Sequence, residues 1–376
     1  MKKIHLCLLL VGLFVACWGS NIFAQGDDWY VSAANYARYY YFQETKADSA
    51  ATRFQFDINM GNFYAGGWLE AKHIRNDVGL DNATTKLSQR YFGWENKSIT
   101  VHAGSFYKVF DRGLILNSFR DDDVSVDKLL DGGMISWRGN YLDFDALTAK
   151  DTSSISNSPI FRGVRTKFKP FSLLQLGGGY VSYIEVDNNR TNLNEINGRI
   201  LTDYVDAYIE YAQRKYTVYN IFIPSEYEKK EGDGTYINIT GSYSKFSGLV
   251  EYKNYYDLFY NHPYMGTMNI APAINHQDRL LTTEMSNVYD QILGERGYRG
   301  NLAYAYNDYW GAEIDYSQSK SRTPSYGENT ETYADIRGNF LGENLFKFGI
   351  DFFNFSCQDS FIAAPWIGRY QPEGKP

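Results

Sequence analysis

Cysteine is almost missing from this chain of 376 residues: Cys7, Cys17 and Cys357 are the only three. The first two fall in an N-terminal leader, so Cys357 stands alone and no internal disulfide can staple the fold. Histidine is equally sparse. His73, His102, His262 and His276 are scattered without the spacing of a metal site, which argues against zinc. Beyond residue 24 no apolar run reaches the ~18 residues of a spanning helix. Any crossing of a membrane must therefore use strands. A basic excess is also lacking, since 44 acidic side chains outnumber 37 Lys and Arg for a net charge of -7. That balance excludes nucleic acid as a main partner. No nucleophile motif is present, so the sequence does not read as an enzyme. No energy-coupling box or plug domain precedes the first strand, which disfavours energised uptake of large substrates.

The leader itself is recognisable. Lys2 and Lys3 form a charged start, Leu6 to Val15 an apolar stretch, and cleavage is expected after Ala24. Residues 1–24 then read as a signal peptide and residues 25–376 as the mature chain. A lipoprotein cleavage at Cys17 is the alternative, but Phe14-Val15-Ala16-Cys17 places an aromatic residue where such sites prefer Leu.

What the chain has in excess is rings. Aromatics make up 17% of residues, with 33 Tyr and 24 Phe, yet the mean hydropathy is negative. Transmembrane β-barrels combine these properties, because lipid-facing residues alternate with polar lumen-facing ones and aromatic girdles mark both interfaces. Period-two alternation is explicit. Phe54, Phe56, Ile58 and Met60 alternate with Arg53, Gln55, Asp57 and Asn59; Ile314 and Tyr316 alternate with Glu313, Asp315 and Ser317. Leu142, Phe144 and Ala146 alternate with Asp143 and Asp145, and Ala207, Ile209 and Tyr211 with Asp206 and Glu210. A charge on the lipid side costs about 2–4 kcal/mol at mid-bilayer for Lys or Arg, so the polar faces are expected to line a lumen.

Short turns are expected at Gly61-Asn62, Asn96-Lys97, Gly139-Asn140, Lys169-Pro170, around Arg214, and at Ser244-Lys245, Asn307-Asp308 and Gly342-Glu343. Between them lie longer polar stretches: 98–133, 151–159, 185–202, 224–234, 257–296 and 320–330. Alternation of short turns with long loops is the asymmetry of outer-membrane barrels. The expected fold is thus an all-β, transmembrane, antiparallel up-and-down β-barrel with about 16–18 strands. A count near seventeen is odd where single-chain barrels are even, and the chain ends in a proline-rich stretch, so closing strands are expected beyond Pro376.

The stretch Ser98–Gly133 organises the rest. An alternating strand gives way to six carboxylates (Asp111, Asp121, Asp122, Asp123, Asp127, Asp131) among four cations (Lys108, Arg112, Arg120, Lys128), around the apolar Leu114-Ile115-Leu116. Residues 107–132 read as a charged inserted loop, and residues 257–296 as a long extracellular loop. Two patches resemble a family of uncharacterised outer-membrane barrels, a domain-of-unknown-function family. The first runs from Gly104-Ser105-Phe106-Tyr107 through Asp111-Arg112-Gly113-Leu114-Ile115-Leu116 and Arg120-Asp121-Asp122 to Asp127–Gly132. The second joins Pro272-Ala273-Ile274-Asn275-His276, Leu280-Leu281 and Gly294-Glu295-Arg296-Gly297-Tyr298. The resemblance implies a barrel in the outer membrane and no reaction; its members continue further downstream.

Four readings of the charged stretch compete. Clustered carboxylates attract calcium, but the spacing does not match the calcium-loop pattern and the mixed cations neutralise the acids without metal. His102 near Ser98 and Ser105 offers a hydrolase pair, although sequence neighbours do not make a triad. A solvated surface loop with weak ion pairs is the plainest account. A loop folded into the lumen explains the charge mixing, since opposed signs create a field that selects solutes. In that reading Arg112 and Arg120 pair with Asp111 and Asp121–Asp123, and Leu114, Ile115 and Leu116 dock on the wall. The constriction candidates are Asp111, Arg112, Arg120, Asp121, Asp122, Asp123, Asp127 and Asp131.

These features together imply a porin-like channel or passive solute transporter in the outer membrane of a diderm bacterium. The alternative is a non-conducting assembly or binding scaffold working through extracellular loops rich in Tyr255, Tyr256, Tyr260 and Tyr264. Expected partners are outer-membrane lipid or lipopolysaccharide, small solutes or ions, and other envelope proteins; no catalytic residue, cofactor or metal is expected.

Overall fold

In the computed structural model, residues 22–25, 29–42, 47–75, 81–121, 126–152, 159–184, 190–219, 227–258, 295–307, 310–321, 330–340, 346–355 and 360–368 are described. The strands in chain order are β1 (Ile22–Gln25), β2 (Trp29–Phe42), β3 (Ala47–Met60), β4 (Phe63–Arg75), β5 (Asp81–Glu95), β6 (Ile99–Phe106) and β7 (Arg120–Asp121). They continue with β8 (Val126–Asp127), β9 (Leu130–Arg138), β10 (Leu142–Asp151), β11 (Ile160–Phe171), β12 (Leu174–Ile184), β13 (Arg190–Leu201) and β14 (Val205–Tyr219). The last are β15 (Tyr227–Tyr243), β16 (Phe246–Tyr256), β17 (Glu295–Asn307), β18 (Trp310–Ser321), β19 (Thr330–Phe340), β20 (Phe346–Phe355) and β21 (Ser360–Gly368).

The chain forms two compact units, Met1–Phe106 with Leu130–Arg138, and Tyr107–Leu129 with Gly139–Pro376. In the first, β1 to β6 and then β9 each run antiparallel to the strand before. In the second, β10 to β21 do the same without a crossover. β7 and β8 make a separate two-stranded ribbon. The fold is an all-β antiparallel up-and-down meander. Apart from the short β1, β7 and β8, it has eighteen strands of 8 to 17 residues among the described residues. The count expected near seventeen is eighteen among the described residues.

The burial pattern is inverted relative to a soluble sandwich. In the second unit Asp145, Glu210 and Asp315 are 0%, 0% and 2% exposed, whereas Ile209, Ile314 and Val250 are 49%, 53% and 56% exposed. Water would drive these residues the other way. The alternation of Asp143 and Asp145, Glu210 and Asp315 therefore does mark the covered face, as a polar interior and an apolar exterior demand.

Turns fall as expected at Gly61-Asn62, where Gly61 has φ +56°, and at Ser244-Lys245, where Ser244 has φ +55°. Asn96-Lys97 and Gly139-Asn140 also connect strands. Four expectations are corrected. Lys169-Pro170 lies inside β11, and the turn is Ser172-Leu173. Arg214 lies inside β14, 3% exposed on its covered face; a cation in mid-strand signals an interior position here and not a turn. Residues 190–201 of the expected loop 185–202 form β13, whose polar residues on both faces hide its period. Its backbone is satisfied by β12 on one side and β14 on the other, which overrides the weak side-chain signal. Residues 227–234 of the expected loop 224–234 open β15.

The expected cleavage after Ala24 falls within β1, whose residues pair with Tyr30–Ala33 of β2. Residues 1–21, Gly342-Glu343, Tyr260, Tyr264 and the stretch 259–294 lie outside the described residues, as does the second family-like patch apart from Glu295–Tyr298. Tyr255 is fully buried, so it belongs to the interior and not to a partner surface.

Candidate functional site

The charged stretch begins where β6 must stop. Gly104 has φ +102°, and a side chain there would sit 2.2 Å from the Arg90 carbonyl oxygen, so the strand passes its neighbour too closely for any other residue. After Phe106 the chain leaves the ladder and closes a tight loop. Ser118 N donates to Lys108 O (3.0 Å), Phe110 N to Leu116 O (2.9 Å) and Gly113 N to Phe110 O (2.8 Å). Asp111 and Gly113 supply the positive φ angles that this reversal needs. Lys128 N then donates to Phe119 O, and Ser118 Oγ to Lys128 O at 2.6 Å, tying the far end back. Thr152 N and Oγ1 both donate to Leu129 O at 2.9 Å. The inserted segment ends there: residues 130–132, expected in the loop, are the first of β9.

This loop is docked on the polar face of β10–β14. Phe110, Leu114, Ile115 and Leu116 are at most 1% exposed. Two glycines of the wall make room for them. A side chain at Gly163 would meet the Phe110 ring at 3.0 Å, and one at Gly179 would meet Ile115 Cδ1 at 2.8 Å. Around these apolar seats the charges interlock. Lys108 Nζ pairs with Asp145 Oδ1 at 2.8 Å, and Arg165 Nη2 with Asp145 Oδ2 at 2.6 Å. Asp111 is held by Lys167 at 2.9 Å and Arg165 at 3.6 Å. Arg112 N donates to Glu210 Oε2 at 3.2 Å, which also accepts from Tyr208 OH at 2.5 Å. The Arg112 guanidinium is exposed and lies 5.2 Å above the Tyr208 ring. Buried pairs of this kind hold only because each charge has a fixed partner; removing one partner costs about 3–5 kcal/mol.

The sequence-predicted pairs are thus rearranged. Asp111 pairs with wall cations of β11 and not with Arg112. Arg120 pairs with Asp127 across the β7–β8 ribbon at 3.7 Å, and Tyr107 OH donates to Asp127 at 2.9 Å. Asp131 lies in β9, where Arg90 holds it at 3.1 Å in an exposed pair. Asp121 is in β7 with its side chain outside the described residues, as are Asp122 and Asp123 altogether. The docking of Leu114, Ile115 and Leu116 is as expected. Sequence reasoning missed Arg165 and Lys167, although their i, i+2 spacing in β11 was a readable signal for one shared face.

Lys128, outside the strands, is 5% exposed and lies 5.4 Å from the Phe119 ring centre. Burial pushes its ammonium down to about 7, against the opposite pull of Asp151. The hydrolase reading of His102 fails on geometry. Its Nδ1 faces Tyr64 OH at 2.8 Å and its Nε2 the Ser105 carbonyl at 3.1 Å, while Ser105 Oγ accepts from Arg90 N. Among the described residues, no three His, Cys, Asp or Glu side chains are placed to hold a metal ion.

Residues 1–349 match a family described as a family of unknown function (DUF6029). The chain belongs to this family. No curated protein matches this family member. Solved structures do, and they show its fold. OccK9 (OpdG) of Pseudomonas aeruginosa is 12% identical with a TM-score of 0.51, covering 90% of this chain and 99% of that one. OpdQ of the same species is 12% identical with a TM-score of 0.50, covering 91% and 100%. A BenF-like porin from Pseudomonas fluorescens is 11% identical with a TM-score of 0.49, covering 90% and 96%. OccK9 and OpdQ are outer-membrane β-barrel proteins, and the DUF6029 chain shares that fold.

Proposed function

We propose that this chain is an integral outer-membrane β-barrel working as a porin-like channel for passive movement of small solutes or ions, and not an enzyme. In this reading the leader 1–24 exports it, and residues 107–129 narrow the lumen. One observation carries the reading: the inserted segment is folded onto the polar face of its sheet, with its aliphatic residues seated on wall glycines. The exposed apolar face supports a lipid environment. A solute passing the segment meets Arg112 first, because Lys108 and Asp111 are spent on wall partners. Arg120 and Asp127 of the ribbon complete the charged lining in this proposal.

The test is planar-bilayer conductance of the refolded full chain. Stepwise currents whose selectivity shifts toward cations in Arg112→Ala are expected. A conducting Arg112→Ala variant with unaltered selectivity would remove residues 107–129 from the constriction. A folded protein that passes no current would favour the scaffold alternative and turn attention to its loops.

A further inference from the structure

On the outward face of the second unit, at the end of the strands that carries the longer connections, four neighbouring strands place a line of polar residues in register. Arg162 of β11 faces Ser182 of β12, Ser182 faces Asn192 of β13, and Asn192 faces Lys215 of β14. At ~4.8 Å per strand the line is about 14 Å long. Arg190 joins it, its Nε donating to Ser182 Oγ at 3.2 Å. Arg162, Arg190 and Lys215 are exposed. Two residues further along β11 the same face becomes apolar with Val164 and then Phe168, and β13 and β14 follow with Ile196 and Ile209.

The spare bonding capacity of this line is one-sided. Asn192 Oδ1 already accepts from Tyr180 OH at 2.7 Å, which leaves its amide N–H groups. Ser182 Oγ already accepts from Arg190, which leaves its O–H. Lys215 reaches Glu231 at 3.5 Å in an exposed pair, but no carboxylate among the described residues lies within 4 Å of Arg162 or Arg190. The line offers donors and positive charge directly above an apolar surface. A group with oxygen acceptors only, negative charge and an acyl chain attached would match both halves at once.

We infer that Arg162, Arg190, Ser182, Asn192 and Lys215 form a binding site for the phosphate of a membrane lipid headgroup of the lipid A type. The inference rests on the outer-membrane reading above. Guanidinium groups suit it, because their fork pairs phosphate oxygens bidentately. The acyl chains of such a lipid would lie along Val164, Phe168 and Ile196.

The experiment uses the refolded full chain in detergent micelles, with bound lipid counted by native mass spectrometry. The probes are lipid A, phosphatidylcholine and inorganic phosphate as a competitor. Lipid A is expected to bind and phosphatidylcholine to bind weakly. Arg162→Gln or Arg190→Gln should each weaken lipid A about fivefold, and the double variant about twenty-five-fold. Arg162→Lys with Arg190→Lys should keep most of the affinity, which separates lost charge from lost folding. A folded double Gln variant that binds lipid A as tightly as the parent overturns the site. Full displacement of lipid A by millimolar phosphate overturns the lipid as its ligand. A parent chain that does not insert into lipid vesicles at all would instead overturn the membrane reading, which the Gln variants do not touch.

Discussion

Residues 108–118 hold Asp111 between Lys108 and Arg112, residues 120–127 hold four aspartates with Arg120 as their one cation, and the described residues of the two stretches are treated oppositely. The first loop gives up its solvent: Lys108 and Asp111 are matched to Asp145, Arg165 and Lys167 on a wall that also seats Phe110 and Ile115. The second is a two-stranded ribbon whose Arg120–Asp127 pair is long, at 3.7 Å, with Asp127 half exposed. What separates them is the apolar run Leu114-Ile115-Leu116. Among the described residues, the first loop is the one with aliphatic side chains whose burial offsets the desolvation of its charges. The lesson is that charge mixing marks a segment as conspicuous without saying whether it is buried; the aliphatic residues between the charges decide that.

Three substitutions would break or sharpen this contrast. The largest effect is expected at Asp145, which is fully buried and shared by Lys108 and Arg165. Asp145→Ala leaves two cations without it and should cost about 3–5 kcal/mol, read as a fall in the unfolding midpoint in urea. It should also make the bond after Arg112 cleavable by trypsin in the folded protein. A pH-dependent effect lies just after the ribbon, where Ser118 Oγ donates to the Lys128 carbonyl. Lys128 holds its proton less tightly when folded, with a value near 7 against an unfolded value near 10.4. The unfolded chain therefore binds more protons between about pH 7 and 10, so stability contributed through this residue rises with pH across that window and its cost is full below about 7. Lys128→Met should raise stability at pH 6.5, leave it little changed above pH 10, and flatten the slope between; heat-modifiability on gels at three pH values reads this out. An unchanged slope would mean that the ammonium is solvated. The smallest effect is expected in the ribbon. Asp127→Ala should lower stability by no more than about 1 kcal/mol, the upper worth of a half-exposed pair, and a loss as large as that of Asp145→Ala would erase the distinction between the halves.

The strand grammar was readable because its cause is local. Alternation of Ile314 and Tyr316 with Asp315 and Ser317, or of Ile209 with Glu210, reports a two-sided environment residue by residue. Where the reading failed, both faces were polar, as in β13, or a cation stood in mid-strand, as with Arg214, which the structure pairs with Asp257 at 3.6 Å. The candidate site was half legible. The position of the docked segment, its aliphatic anchors and Arg112 could be named from composition, but its partners could not, since Asp111 had four cations nearby in sequence and chose two from β11 instead.

By itself the sequence determined an all-β chain with a polar face and an apolar face, interrupted by one segment too charged and too aliphatic to be a plain turn. It could do so because side-chain period and turn chemistry act over a few residues. Only the tertiary structure decided which carboxylate meets which cation, which glycines of β11 and β12 receive Phe110 and Ile115, and that Arg162, Ser182, Asn192 and Lys215 stand in one line. Those facts depend on strand register across tens of residues, where a shift of one position would turn every one of these side chains to the other face.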